Sequence, residues 1–186
     1  WDYIFYYQEN FARATAVMEA NTYKTLKLAF RKGSPDGSGK PSGTASFRNN
    51  GGWFGGADEA PDLPRDNDVV SEEDLRTYTS AMDQNGFFGA NSWYMNFEPN
   101  ANYAKKSLND GFLDMPVLFV HAAYDYACET ISSQMAEPMR EYCRELTEST
   151  IESGHWIAQE KPKELNIALQ DWLEKHVPDQ WAQRRN

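Results

Sequence analysis

The sequence predicts a protein of the α/β class, in which a mostly helical region is followed by a short sheet. Residues 116–123 form an apolar run, and residues 146–151, Leu-Thr-Glu-Ser-Thr-Ile, form a second run with two threonines and an isoleucine. Both runs are typical of strands. A helical pattern lies between them, and this order of strand, helix and strand favours an open sheet. We therefore expect a helical lid over residues 1–108 and a core of strands and helices over residues 109–186.

The helical region opens with an aromatic stretch at residues 1–8, which we interpret as core or lid lining. From Asn10 onward, apolar residues recur at steps of three and four, which predicts a helix. A second helix is expected to be capped by Asn21 and closed by Gly33. The residues on the apolar face of the first helix are Phe11, Ala14, Val17 and Met18.

Residues 34–68 hold most of the glycines and several prolines, and they show neither a strand nor a helix period. Long loops of this kind are uncommon in compact domains and are often functional or disordered. We expect the few apolar side chains in the loop to anchor it to a surface. These residues are Phe47, Trp53, Phe54 and Leu63.

A third helix is predicted from Ser71, whose side chain can cap the first turn, to the turn at Asn85-Gly86. Residues 130–143 are also predicted to be helical, with Pro138 starting a new turn or kinking the helix. The last helix is predicted to begin at Pro162, where a missing N–H is harmless. Residues 180–186 form a polar tail. The expected buried face of the last helix is Leu165, Ala168, Leu169, Trp172 and Leu173.

Composition limits the function. The 186 residues carry a net charge of −10, which argues against a nucleic-acid partner because phosphate binding needs a basic surface. No apolar run is long enough to span a bilayer. Two cysteines favour a reducing, cytoplasmic compartment over a disulfide framework. No metal site is expected, because three scattered histidines and two cysteines lack ligand spacing.

An acid and a histidine follow the two predicted strands. Asp125 comes directly after the first strand, and His155 lies in the short loop Ser153-Gly154-His155-Trp156 after the second. Chemistry in open α/β sheets collects at the carboxyl ends of the strands, so the two side chains should share one edge. An acid in that position holds an imidazole in one tautomer and stabilises its protonated form.

These residues carry a resemblance to a known family. Residues 114–120, Asp125, the loop around His155 and the following Lys161-Pro162 resemble the C-terminal portion of the soluble epoxide hydrolases, in the α/β-hydrolase superfamily. The order of acid and histidine matches the order in that fold. The resemblance implies that Asp125 and His155 are catalytic, with Glu129 as a rival for the acid.

A second resemblance lies in the helical region. The segment Gly86-Phe-x-Gly-x-x-x-Trp-Tyr94 is similar to a lid segment of the epoxide hydrolases whose tyrosine reaches into the active site. The opening Asp2-Tyr3-x-x-Tyr6-x-Gln8 resembles the lid segment that carries the partner tyrosine. The resemblance therefore implies catalytic roles for Tyr94 and Tyr3, with Tyr6 as the rival of Tyr3.

The resemblance implies a small, apolar epoxide as the substrate, opened to a vicinal diol without a cofactor. Two phenols suit this reaction, because they stay protonated near neutral pH and can donate to the leaving oxygen. The residues expected to bind the substrate are Phe5, Trp93, Phe97 and Trp156, with Tyr7 beside them in the aromatic lining.

The nucleophile of the family is missing from these residues. The chain has no Gly-x-Asp-x-Gly, Gly-x-Ser-x-Gly or His-Gly-x-Pro segment, and it begins at Trp1 rather than at Met. We expect a piece of a longer hydrolase that is inactive alone and that associates through an open sheet edge. Its partner would be the missing N-terminal half or a second copy of the chain. Two other functions stay open: a haloalkane dehalogenase or C–C hydrolase, and a non-catalytic fragment that binds a ligand or a partner chain.

Overall fold

The computed structural model describes residues 2–178, so Trp1 and the polar tail expected at residues 180–186 lie outside the described residues. The chain forms two compact units. The first contains residues 2–32 and 37–105, and the second contains residues 33–36 and 106–178. Each unit has its own packing.

The first unit is helical. Its helices are α1 (Asp2–Glu19), α2 (Thr22–Ala29), α3 (Glu72–Asn85), α4 (Phe88–Ser92) and α5 (Phe97–Ala104). Helix α1 begins eight residues before the predicted start at Asn10, and the backbone kinks at Asn10 (φ −136°, ψ 34°). Residues 2–8 of the aromatic stretch are therefore helical. Across residues 2–178, no helix combines the length and the apolar character that a membrane span needs.

The core of the helical unit confirms most of the predicted apolar face of the first helix. Ala14, Val17 and Met18 of α1 are buried, and Leu75 of α3 is fully buried. The Ser71 hydroxyl accepts a hydrogen bond from the Asp74 N–H at 3.0 Å, which caps α3 as predicted.

The glycine-rich loop is held against α1 and α2 by rings and ion pairs. Phe47 is buried, and its ring lies 4.5 Å from that of Trp53 in an edge-to-face contact. Lys24 pairs with Glu59 at 2.7 Å on the surface. The ring of Phe47 packs on Tyr6 and that of Trp53 on Tyr7 of α1, so the predicted anchoring by Phe47 and Trp53 is confirmed. The loop also contains two short 3-10 helices, Pro35–Gly37 and Gly43–Ser46.

The second unit contains two parallel strands, three α-helices and the short 3-10 helices Asn109–Gly111 and Gln134–Ala136 within the described residues. Strand β1 is Leu113–Ala122 and β2 is Cys143–Ile151, with Val117 opposite Leu146 and His121 opposite Thr150. Both predicted strands are confirmed and extend towards the N-terminus. The helices are α6 (Glu137–Tyr142), α7 (Ile157–Glu160) and α8 (Pro162–His176).

The helix predicted over residues 130–143 is wrong at both ends. The Glu129 carboxylate accepts hydrogen bonds from the N–H groups of Ile131 (2.7 Å), Ser132 (2.9 Å) and Ser133 (2.8 Å), so this segment forms a turn. Helix α6 covers only Glu137–Tyr142, and Cys143 already belongs to β2. The side chain of Glu129 replaces the helical hydrogen bonds that the pattern predicted.

The predicted buried face of α8 is only partly correct. Leu165, Trp172 and Leu173 are half-buried, but Leu169 is 40% exposed. The reason is that α8 packs against β1 and β2, and a two-stranded sheet offers little area to cover a helix.

Candidate functional site

The turns that follow β1 and β2 lie side by side and bring Asp125 to His155. The Tyr124 N–H donates to the Ser153 carbonyl at 2.9 Å, which extends the strand pairing into the turns. Nδ1 of His155 lies 2.8 Å from Oδ2 of Asp125. The structure therefore places the two side chains at one sheet edge and in hydrogen-bond contact, as expected.

The acid is enclosed, whereas the imidazole is accessible. The side chain of Asp125 is 12% exposed and that of His155 is 56% exposed. The Cys128 N–H donates to Oδ1 of Asp125 at 3.1 Å, so both carboxylate oxygens have a partner. The ring of Trp156 meets the imidazole edge-on at 5.1 Å between centroids. When Nδ1 carries the proton that Asp125 accepts, Nε2 keeps its lone pair and can act as a base.

The contact between Asp125 and His155 shifts the pKa of both side chains, in directions that suit a general base. The hydrogen bond to Asp125 raises the pKa of His155 above its ordinary value, although partial burial opposes the shift. Burial raises the pKa of Asp125, but the hydrogen bond and charge of His155 and the backbone N–H of Cys128 outweigh it. The pKa of Asp125 is therefore lowered. At neutral pH the acid stays ionised beside the imidazole.

Replacing Asp125 by Asn should lower the pKa of His155, because the neutral amide no longer stabilises the imidazolium ion. The measurement is an NMR titration of the histidine ring protons. In the unmodified protein the neutral form of the His155 imidazole is lost as the pH falls through the raised pKa. In Asp125→Asn this loss should occur at a lower pH. The matched control is Glu129→Gln, which should leave the His155 titration unchanged, and a shift in the control instead would assign the acid to Glu129.

The geometry favours Asp125 over its rival. The carboxylate of Glu129 accepts hydrogen bonds from the three backbone N–H groups of the following turn described above. These hydrogen bonds lower the pKa of Glu129 against the opposing effect of burial. Glu129 is thus engaged in shaping the turn at residues 130–133 and not the turn that carries Asp125.

Sequence reasoning missed Glu160 and the role of Gly33. Oε2 of Glu160 accepts hydrogen bonds from the Gly154 N–H at 2.8 Å and the Gly33 N–H at 3.1 Å. The two glycines touch backbone to backbone, and a Cβ on Gly33 would lie 2.5 Å from the Gly154 nitrogen. The predicted closure of the second helix by Gly33 is wrong, because α2 ends at Ala29. The loop before His155 is therefore fixed by one carboxylate and a close backbone approach.

Gly33→Ala should destabilise the second unit by about 1–3 kcal/mol, because the added methyl group collides with the backbone of Gly154 and cannot be relieved by a rotamer change. The measurement is urea unfolding followed by far-UV circular dichroism. The control is Gly43→Ala, where an added Cβ meets nothing within 4 Å. Equal unfolding midpoints for the two variants would contradict the close approach.

In the helical unit, the structure brings Tyr3 and Tyr94 together. Their rings meet edge to face with 5.3 Å between centroids. Both side chains are half-buried. Tyr6 instead packs on Phe47 and against Gly52, where it is 6% exposed. The contacts thus favour Tyr3 over Tyr6 as the partner of Tyr94, and the catalytic roles of Tyr3 and Tyr94 stay predictions.

Tyr7 has a larger part in this cluster than its place in the aromatic lining suggested. Its ring stacks on Tyr94 at 4.9 Å with 4° between planes, and its hydroxyl accepts the Trp53 indole N–H at 2.9 Å. Burial raises the pKa of Tyr7 far above its ordinary value. The side chain therefore stays protonated, and it supports the ring of Tyr94 from one face.

The other aromatic residues expected to bind substrate are less enclosed. Phe5, Trp93 and Phe97 are 51%, 75% and 44% exposed. The helical unit has an open cavity of about 620 Å³ whose apolar wall includes Phe47 and Trp53. Trp156, which also belongs to the expected set, lies against His155.

Comparison with known proteins points to one class of enzyme. No family model matches the chain. The chain is 34% identical over 175 residues to bifunctional epoxide hydrolase 2 of Sus scrofa, a match that covers 94% of this chain and 29% of that protein. It is 27% identical to epoxide hydrolase A of Mycobacterium tuberculosis, with 92% and 51% coverage. The chain thus spans less than a third of the first relative and about half of the second.

Solved structures share the fold. Epoxide hydrolase A from Mycobacterium thermoresistibile superposes with a TM-score of 0.69 at 22% identity, covering 94% of this chain and 52% of that one. An epoxide hydrolase mutant from Vigna radiata gives a TM-score of 0.66 at 22% identity, with 94% and 53% coverage. The expected fold, part of an α/β-hydrolase with a helical lid, is confirmed.

Proposed function

This chain is a homologue of the epoxide hydrolases, and we propose from that premise that it carries the base, the acid and the phenol donors of such an enzyme. The enzyme would open a small apolar epoxide to a vicinal diol without a cofactor. The observation that carries the proposal is the 2.8 Å contact between Nδ1 of His155 and Oδ2 of Asp125 at the carboxyl ends of two parallel strands.

The first step opens the ring. A carboxylate attacks one epoxide carbon, the carbon–oxygen bond breaks, and an ester to the enzyme forms. Negative charge develops on the leaving oxygen, and the hydroxyls of Tyr3 and Tyr94 donate to it. Phenols are suited to this task because they hold their protons near neutral pH. The contact between the two rings supports their acting as a pair.

The second step hydrolyses the ester. His155 takes a proton from a water molecule, the resulting hydroxide attacks the ester carbonyl, and the diol leaves with the carboxylate regenerated. Asp125 stabilises the imidazolium ion that forms, which agrees with the raised pKa of His155. A base of this kind typically contributes about 10²–10⁴-fold to the rate.

The nucleophile and the oxyanion donors lie outside this chain in the proposal. They would come from the N-terminal half of the hydrolase, whereas a second copy of the chain could only cover the open edge of the sheet. Exposed apolar residues in the second unit support a covering partner, since Met115 of β1 is 57% exposed and Ile167 of α8 is 60% exposed.

Cys128 and Cys143 are free thiols, which supports the reducing, cytoplasmic compartment expected from the cysteine count.

The test is a turnover assay with an aryl epoxide and, in parallel, a haloalkane. The complete enzyme, in which this segment is joined to a strand and elbow carrying a nucleophilic aspartate, should form diol from the epoxide. The 186-residue chain alone should form none. Halide release without diol would assign the enzyme to the dehalogenases, and binding without either product would identify a non-catalytic fragment.

A further inference from the structure

Three side chains with different donor atoms converge at the sheet edge. A carboxylate oxygen of Asp125, the thiol sulfur of Cys128 and a ring nitrogen of His155 all lie within 4.8 Å of one another. We propose that these side chains form a binding site for a thiophilic divalent cation, Zn²⁺ or Cd²⁺, and that occupation of the site inhibits the enzyme.

The two turns hold the donors in place before any ion arrives. Cys128 is tied to Asp125 through its N–H, at 3.1 Å from Oδ1. The Glu129 carboxylate fixes the backbone that follows, and Asp125 pairs with His155 of the neighbouring turn. Little chain ordering is therefore needed on binding, and a preorganised site loses less affinity to conformational entropy.

The donor set selects the ion. Zinc binds thiolate, imidazole and carboxylate ligands at about 2.0–2.3 Å, and sites with three protein ligands leave a fourth position for water. Magnesium and calcium prefer oxygen ligands, so a thiol and an imidazole disfavour them. The exposed His155 side chain can rotate to shorten its distance to the sulfur. The thiol gives up its proton to solvent when the metal–sulfur bond forms.

The other described histidines have less to offer a cation. His121 is buried with Nδ1 at 2.8 Å from the Thr130 hydroxyl and Nε2 at 3.0 Å from Glu148. His176 has Nδ1 at 2.8 Å from Glu145. Within residues 2–178, neither His121 nor His176 belongs to a cluster of side chains that could hold a metal. Cys128 therefore distinguishes the sheet edge.

Occupation of the site would inhibit hydrolysis, and this consequence depends on the proposed function. If Nε2 of His155 binds the cation, its lone pair is coordinated to the metal and cannot accept the proton from water. If Nδ1 binds it, Nε2 must carry the ring proton and cannot act as a base. Either geometry also separates the imidazole from its hydrogen bond with Asp125 or draws charge from that carboxylate.

The first experiment measures binding without turnover. Cd²⁺ is titrated into the reduced 186-residue chain, and the ultraviolet charge-transfer absorption of the cadmium–thiolate bond is recorded. We expect one equivalent to bind in the unmodified chain and in Cys143→Ser. Cys128→Ser and Cys128→Ala should weaken binding by at least about 100-fold, since even losing a residue that orients a ligand costs about 10–100-fold. Equal binding in both Cys128 variants, or none in the unmodified chain, would overturn the site.

The second experiment measures inhibition in the complete enzyme. Zn²⁺ should inhibit epoxide turnover, and Cys128→Ala should keep its basal turnover while needing about 100-fold more Zn²⁺ for the same inhibition. Equal Zn²⁺ sensitivity in the variant would contradict inhibition through this site. A chain that binds Cd²⁺ through Cys128 but belongs to an enzyme without epoxide turnover would overturn the proposed function and leave the metal site standing.

Discussion

Replacing His155 by Gln in the complete enzyme is expected to lower steady-state epoxide turnover by about 10²–10⁴-fold, the contribution typical of a general base. Glutamine keeps a polar side chain of similar reach, but it cannot accept the proton of the attacking water. Ring opening does not need this base, so the first step should continue while the ester accumulates. The measurement combines steady-state diol formation with a rapid-quench count of the first turnover.

The control for this variant is His176→Gln. His176 lies in the same unit, on α8, and its Nδ1 pairs with Glu145 as that of His155 pairs with Asp125. A histidine–carboxylate pair is therefore lost in both variants. Only His155→Gln should stop turnover, and a similar loss in the control would indicate general destabilisation of the sheet unit.

Replacing Tyr3 or Tyr94 by Phe should slow the ring-opening step, each by about 10²–10³-fold, as the loss of one oxyanion donor does in other enzymes. Phenylalanine keeps the ring and the edge-to-face contact but removes the hydroxyl. The ester should form more slowly and should not accumulate, unlike in His155→Gln. Single-turnover kinetics with an aryl epoxide separate the two steps.

Tyr6→Phe is the matched control for the tyrosines. Tyr6 lies one helical turn from Tyr3 on α1, but it packs on Phe47 and against Gly52. Its replacement should leave ring opening within a few-fold of the unmodified rate. If Tyr6→Phe slowed ring opening and Tyr3→Phe did not, the donor assignment would pass to Tyr6.

Local sequence patterns were enough to predict the sheet edge. The apolar run before Asp125 and the short glycine loop at His155 mark two strand ends, and neighbouring parallel strands place their carboxyl ends together. The Ser71 cap was also predictable, because its hydrogen bond spans three residues. Features of this kind depend on residues close in sequence.

The remaining features depend on contacts between distant residues. The Gly33–Glu160 hydrogen bond joins residues 127 apart, so no local pattern could reveal it. The expectation of no metal site relied on ligand spacing along the chain. Asp125 and Cys128 lie on one turn and His155 lies on the other. The spacing of these residues along the chain does not show that their side chains meet. Residues 130–133 form a turn in place of the predicted helix, because the carboxylate of Glu129 accepts the hydrogen bonds of the backbone N–H groups there.

The central claim is that His155, oriented by Asp125, hydrolyses an ester formed between an epoxide and an enzyme carboxylate. The most direct measurement is the intact mass of the complete His155→Gln enzyme after incubation with an epoxide. Ring opening loses no atoms, so we expect the protein to gain the full mass of one epoxide molecule and base treatment to release the diol. Unmodified protein mass together with undiminished diol formation would contradict the account.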